Sequence, residues 1–225
     1  MAKHELTESY IESFLQTNDS HIEEMKRYAS EHHVPIMEAT GMAMMLQVLE
    51  IHKPKKILEI GTAIGYSAIR MVKSCPNAHI VTIERDEERL KIAEENIRKA
   101  QMEKQITVLS GDALHLIKEA TELGTFDAIF IDAAKGQYER FFDLYEPLLN
   151  IGGVVISDNI LFKGMVAESE LPENKRMKQM VKRLKLFNER LMTDERFSSM
   201  IYPVGDGVMV SVKKEEKENI IGGGN

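Results

Sequence analysis

Four polar residues in the second half of the chain have the types and spacing to do chemistry together: Asp132, Lys135, Asp158 and Asn159. Each sits just past a short apolar run, DAIFI before Asp132 and VVIS before Asp158. Two carboxylates and an amide oxygen are hard donors suited to Mg²⁺, which keeps waters or substrate oxygens in its remaining positions. Asn159 alone could equally be a turn residue. Lys135 reads as an exposed loop lysine in isolation. Beside a bound cation and partly buried, it would favour the neutral form that general-base duty needs. A second set lies earlier in the chain: Glu84, Asp112-Ala113 and the turn Gly61-Thr62-Ala63-Ile64-Gly65. The G-x-x-x-G spacing meets neither the dinucleotide nor the P-loop pattern. It therefore suits either a ligand loop or a purely conformational turn. Glu84 follows the turn by about 20 residues, where an acid can bind ribose hydroxyls, whereas an isolated Asp112 reads as a helix cap.

The elements around these residues alternate. A strand at Ile57–Ile60 is followed by a helix at Tyr66–Lys73, and a strand at His79–Glu84 by a helix at Glu87–Ala100. Next come a strand at Ile106–Ser110, a helix at Ala113–Glu122 and a strand at Asp127–Asp132. A helix at Tyr138–Leu149, stopped by Gly152-Gly153, precedes a strand at Val154–Ser157. Near-continuous apolar strands alternating with helices predict an α/β fold, a parallel sheet covered on both faces. Ligands then collect beyond the carboxyl ends of the strands, where every residue named above falls. A helix at Asn174–Met192 carries Met177, Met180, Val181, Leu184, Phe187 and Leu191 on one face. Phe197–Val204 and Val208–Val212 read as strands of a hairpin turning at Gly205-Asp206-Gly207. Two amphipathic helices span 5–33, one with the stripe Leu6, Tyr10, Phe14 and Leu15, and a Met-rich helix spans Ile36–Ile51. The reading is one domain over 1–214, including the N-terminal helices (1–52), with a disordered tail at 215–225.

Composition narrows the classes. At 225 residues, 43% hydrophobic and 29% charged, the chain is an ordinary globular one. No apolar run approaches a membrane span, so no membrane partner is expected. The start, MAKHELTESY, lacks a signal-peptide core, which makes the cytoplasm the expected compartment. One cysteine, Cys75, excludes an internal disulfide and a Cys-based zinc site. The fourteen methionines suit irregular core space, and the adjacent His32-His33 reads as a solvated pair.

The segments KILEIGTAIGYSAIRM, HIVTIERD, SGDA, DAIFIDAAKGQY and VVISDNILFKG, in this order, resemble the motifs of class I S-adenosylmethionine-dependent O-methyltransferases of the catechol and caffeoyl-CoA type. The resemblance runs from about Pro35 to Val212; each motif is weak alone and the ordered set is specific. It implies a Rossmann-like, seven-stranded, mostly parallel sheet with an antiparallel terminal hairpin. It also implies that Met37, Gly61, Ser67, Glu84, Asp112, Ala113 and Asp132 surround the cofactor. Asp132, Asp158 and Asn159 would be the Mg²⁺ ligands and Lys135 the base. The terminal hairpin lacks the acid that animal catechol enzymes place by the second hydroxyl, so a catechol acceptor fits poorly.

Within the family the chain is most similar to the bacterial branch that methylates 5-hydroxyuridine at the tRNA wobble position, and family habit implies a homodimer. An anticodon-loop partner needs a phosphate-binding surface. From Asn174 to Arg190 there are seven bases, Lys175, Arg176, Lys178, Lys182, Arg183, Lys185 and Arg190, against the single acid Glu189. That is +6 locally in a chain of net charge −7, with Lys163 nearby. Such a stripe suits phosphates, or is a solvated helix face. Phe162 and Tyr138 could stack on a base or pack in the core. The alternative acceptor is a small catechol-, caffeoyl-CoA- or flavonoid-like molecule.

Overall fold

Asp19, Asp86 and Asn174 each end an extended stretch and accept two backbone N–H groups of the next turn at 3.0 to 3.2 Å, so each starts a helix. Caps of this kind contribute about 1 kcal/mol apiece. The structure, a computed structural model, describes residues 2–215. Three helices come first, α1 (Ala2–Glu12), α2 (Ser20–Glu31) and α3 (Ala39–His52). The alternation then runs β1 (Lys56–Ile60), α4 (Tyr66–Ser74), β2 (His79–Glu84), α5 (Glu87–Lys99) and β3 (Ile106–Ser110). It continues with α6 (Ile117–Glu122), β4 (Phe126–Ile131), α7 (Tyr138–Tyr145) and β5 (Leu149–Ser157). Helix α8 (Lys175–Thr193) leads into β6 (Phe197–Tyr202) and β7 (Val208–Lys213).

The seven strands form one sheet in the order β3-β2-β1-β4-β5-β7-β6. Only β7 runs against the rest, paired antiparallel with both β5 and β6. Alternate residues of each strand face opposite helix layers, as period 2 dictates. Ile57, Ile80, Phe130 and Ile156 pack against α2, α3 and α4. Leu58, Val81, Ile129 and Val155 pack against α7 and α8. The strand order reverses between β1 and β4, so the segments that follow them lead to opposite faces of the sheet and leave a crevice above the carboxyl ends. The expected Rossmann-like architecture with its antiparallel hairpin is the one found. Among the described residues no helix is long and apolar enough to cross a membrane.

Several boundaries move for local reasons. The helix expected from Ala113 starts at Ile117, because Asp112 first makes a turn: its side chain accepts from Leu114 N (2.9 Å) and its carbonyl from His115 N (2.8 Å). The helix expected to reach Leu149 stops at Tyr145, because Pro147 has no N–H to continue the helical hydrogen bonding. The chain makes one 3₁₀ turn there, and β5 starts at Leu149, running through Gly152 and Gly153. The helix expected from Ile36 begins at Ala39. Leu6, Tyr10 and Phe14 of the first apolar stripe face outward, at 66–72% exposure. Of the tail expected to be disordered, 216–225 lies outside the described residues.

Candidate active site

At the carboxyl end of β1 the backbone approaches β4 closely. Asp132 N donates to Ile60 O (3.0 Å), and a Cβ on Gly61 would stand 2.0 Å from the Asp132 carbonyl oxygen. Gly61 has φ +111°, which L side chains avoid. Only glycine fits at that point. The turn is then braced by Glu84 at the end of β2, which accepts from Ala63 N (2.8 Å), Arg85 N (2.9 Å) and Asp86 N (2.9 Å). A cleft of about 310 Å³ opens above, with Gly61, Glu84, Asp112, Ala113 and Asp132 in its wall. Its rim includes Lys135 and Asn159.

Two residues expected at the cofactor stand elsewhere. Met37 is buried beside Gly41 in the core under α3, and Ser67 donates its hydroxyl to Glu59. Neither lines the cleft.

Glu59, which the sequence places at the end of the first strand without a role of its own, turns inward. It is 0% exposed, on the β1 face turned toward α4, and accepts from Thr82 Oγ1 (2.5 Å) as well as from Ser67. Thr82 Oγ1 and Thr62 Oγ1, in the glycine turn, lie 2.6 Å apart. A buried acid thus ties β1, β2, α4 and the turn together. The available signal was a charge inside the strand KILEI, at a position the apolar pattern places inward. Burial pushes the Glu59 carboxyl up to about 7, against the two hydroxyls that lower it, with Glu84 adding to the rise. The folded protein then holds a proton that the unfolded chain has lost. Its contribution is full below about 4.5 and declines as pH climbs to about 7, by roughly 3 kcal/mol at 1.36 kcal/mol per unit. Glu59→Gln should remove that decline. Denaturant unfolding at pH 5 and 7.5 measures it: parallel pH slopes in parent and variant would refute the assignment.

The second set lies just past the ends of β4 and β5. Register pairs Ile131 with Ser157, which sets Asp132 beside Asp158, each one residue past its strand. Asp158 is 2% exposed; its Oδ1 accepts from Asn159 N (2.7 Å), and its Oδ2 is buried without a partner among the described residues. Burial lifts both carboxyls above the ordinary range, and Asp132 raises Asp158 further, while Lys135 pulls each down. Asn159 holds a left-handed backbone, φ +56°. Its Oδ1 accepts from Lys135 Nζ, and that ammonium lies 5.8 Å from the centroid of the half-buried Phe162 ring. Among the described residues no three His, Cys, Asp or Glu side chains converge. The set is two carboxylates and an amide. An unpartnered buried carboxylate oxygen beside a second carboxylate is a deficit that an oxygen-liganded dication satisfies, so these residues fit one.

The loop after β5 is clasped by the hairpin: Ile160 N donates to Gly207 O (3.1 Å) and Leu161 N to Asp206 O (3.0 Å). Tyr138, named above as a stacking candidate, belongs to the core. It is 1% exposed, its hydroxyl donates to Asp158 O (3.0 Å), and its ring meets Phe187 edge-on at 5.7 Å.

On α8, Val181, Leu184, Phe187 and Leu191 are buried, whereas Met177 and Met180 are only half-buried. Lys175, Arg176, Lys178, Lys182 and Arg183 are exposed, as is Lys163 in the clasped loop. Three bases of the stripe have partners. Arg190 pairs with Asp143 (2.6 Å) and Glu139 (3.3 Å), Lys185 binds Glu168 O (3.0 Å), and Arg183 binds Gly136 O (3.1 Å).

Comparison with known proteins gives consistent matches. The O-methyltransferase family profile matches residues 12–214. A caffeoyl-CoA O-methyltransferase from Stellaria longipes is 30% identical over 205 residues, 87% of this chain and 84% of that one. A Staphylococcus aureus crystal structure, provisionally described as a caffeoyl-CoA O-methyltransferase, is 34% identical at TM-score 0.87, covering 92% of this chain and 99% of that one. The Bacillus cereus O-methyltransferase in complex with SAH is 27% identical at TM-score 0.79, covering 93% and 97%.

Proposed function

Because the chain belongs to the O-methyltransferase family, we propose that it uses S-adenosylmethionine and Mg²⁺ to methylate the 5-hydroxyl of 5-hydroxyuridine in a tRNA anticodon loop. The observation that carries the chemistry is a braced glycine turn beside a buried carboxylate, a half-buried one and a lysine. When bound, the cofactor supplies an electrophilic methyl group, and a divalent ion supplies charge stabilisation for the acceptor oxygen.

The chain's residues do the rest. Glu84, fixed by three N–H groups, keeps lone pairs free on the cleft wall for ribose hydroxyls. Asp132, Asp158 and Asn159 would hold the ion, and the clasp by Asp206 and Gly207 keeps their loop in place. Lys135 lines the cleft beside that set, and in its neutral form it would take the acceptor proton. A 5-hydroxyl next to the C4 carbonyl offers two neighbouring oxygens, as a catechol does. The exposed bases of α8 support an RNA acceptor.

Incubating tRNA with the protein and labelled S-adenosylmethionine should place label in 5-methoxyuridine, read by mass spectrometry of the nucleosides. Unlabelled tRNA alongside rapid methylation of free catechols would decide for a small acceptor. That second reading has its own support: relatives are named for caffeoyl-CoA, flavonoid and catechol methylation. The engagement of Arg190 by two acids also trims the basic stripe.

A further inference from the structure

A second cavity, of about 300 Å³, opens between the Lys135–Gln137 turn, the start of α7 and the side of α8. It shares Lys135 and Gln137 with the cleft, so the two adjoin on either side of the proposed base. A molecule whose acceptor group enters the cleft would lay its neighbouring part here.

The lining is chosen for charge. Arg183 donates to Gly136 O (3.1 Å) and Arg140 to Gln137 Oε1 (3.1 Å). Both partners are neutral, so each guanidinium is oriented without losing its charge. A guanidinium has five N–H donors in a planar fork, which leaves most of each fork unused. Arg190, on the same helix, shows the contrasting arrangement, with its charge spent on Asp143 and Glu139. Glu139 also lines the cavity, one acid against Lys135, Arg140 and Arg183. The net surplus of the cavity is positive.

We propose that this groove receives a phosphate group of the acceptor substrate, with Arg183 as its anchor and Arg140 beside it. The inference rests on the methyl-transfer reading for what fills the cleft, and it adds that the acceptor is a phosphate ester and not a free phenol. Bidentate pairing of guanidinium with phosphate supplies both affinity and orientation. A nucleic-acid backbone and a coenzyme A thioester offer the same group.

Binding calorimetry on the parent, Arg183→Ala and Arg183→Lys tests it without turnover. The probes are an anticodon stem-loop RNA bearing 5-hydroxyuridine, coenzyme A, and a phosphate-free catechol. The expected result is that Arg183→Ala weakens one phosphate-bearing probe about tenfold or more. It should also reduce the salt slope for that probe by about one. Lysine should recover the charge-dependent part only. Whichever probe responds identifies the source of the phosphate. The proposal is overturned if neither phosphate-bearing probe binds the parent, if Arg183→Ala leaves both within twofold, or if the catechol weakens equally. Labelled-methyl transfer to tRNA is scored separately, so either reading can fail while the other stands.

Discussion

Asp158→Asn lowers methyl transfer about a thousandfold or more and leaves S-adenosylmethionine affinity within a few fold. Asp158, buried past the end of β5, lies two strands from the glycine turn of β1 and three from Glu84 of β2, so the contacts expected of the cofactor are untouched. The asparagine keeps an acceptor for Asn159 N, now bonded at 2.7 Å, so the backbone of the loop is preserved. What goes is one of two carboxylates facing each other in a poorly solvated place. Lewis-acid stabilisation by a held ion is worth several kcal/mol, and about 4 kcal/mol is a thousandfold. Stability moves the other way. An unpartnered buried oxygen that repels Asp132 burdens the metal-free protein, so the variant should melt at or above the parent temperature. Added Mg²⁺ should then raise the parent's melting point and leave the variant's unmoved. Single-turnover transfer and paired melts with and without Mg²⁺ check this. Parental turnover in the variant would end the claim that Asp158 helps hold an ion.

Gly61→Ala should cost the protein more than about 3 kcal/mol and raise the cofactor Kd at least a hundredfold. Its Cβ would meet the Asp132 carbonyl oxygen at 2.0 Å and the carbon at 2.8 Å, both backbone atoms. Asp132 is tied back to β1 through Ile60 O (3.0 Å), so neither side can yield without parting β1 from β4. The positive φ adds conformational strain. For a domain of this size such a loss lowers Tm by roughly 10 °C. Gly164 is the control: it has φ +77° but nothing within 4 Å, so Gly164→Ala should cost only about 1 kcal/mol. Melting curves and cofactor titrations of both variants separate collision from strain. Equal losses at the two glycines would mean that the approach of β1 to β4 is not what Gly61 serves.

Much of the architecture was readable because strands buried on both faces are near-continuous apolar runs ending in polar residues. The limits read for His79–Glu84 and Ile106–Ser110 are those found. Reading failed where one side chain redirected the backbone. Asp112 made a turn before its helix, and Pro147 ended α7 early and lengthened β5. At the site, five of the cofactor residues implied by resemblance share one cleft. Ser67 and Met37 do not line it, because spacing cannot tell a hydroxyl facing a cavity from one facing a buried acid. Glu59 had no role in the sequence because a charge in a core strand has meaning only once Ser67 and Thr82 are known to surround it. The basic stripe was visible as composition, but which bases stay free depended on Glu139 and Asp143 of α7, far away in sequence.

The place of β7 in the sheet bears on how the molecule is made. It inserts between β5 and β6, yet it is the last of the seven strands to leave the ribosome. Because domains fold as units, the sheet is complete only once this strand is available. Until Val208–Lys213 emerges, β5 has an open edge, and the carbonyls of Asp206 and Gly207 that clasp the Asp158–Asn159 loop are not yet in position. A nascent chain short of this strand therefore lacks the clasp on the loop that follows Asp158. One stalled short of Val208 presents the apolar β5 to its neighbours, an edge that invites pairing between chains.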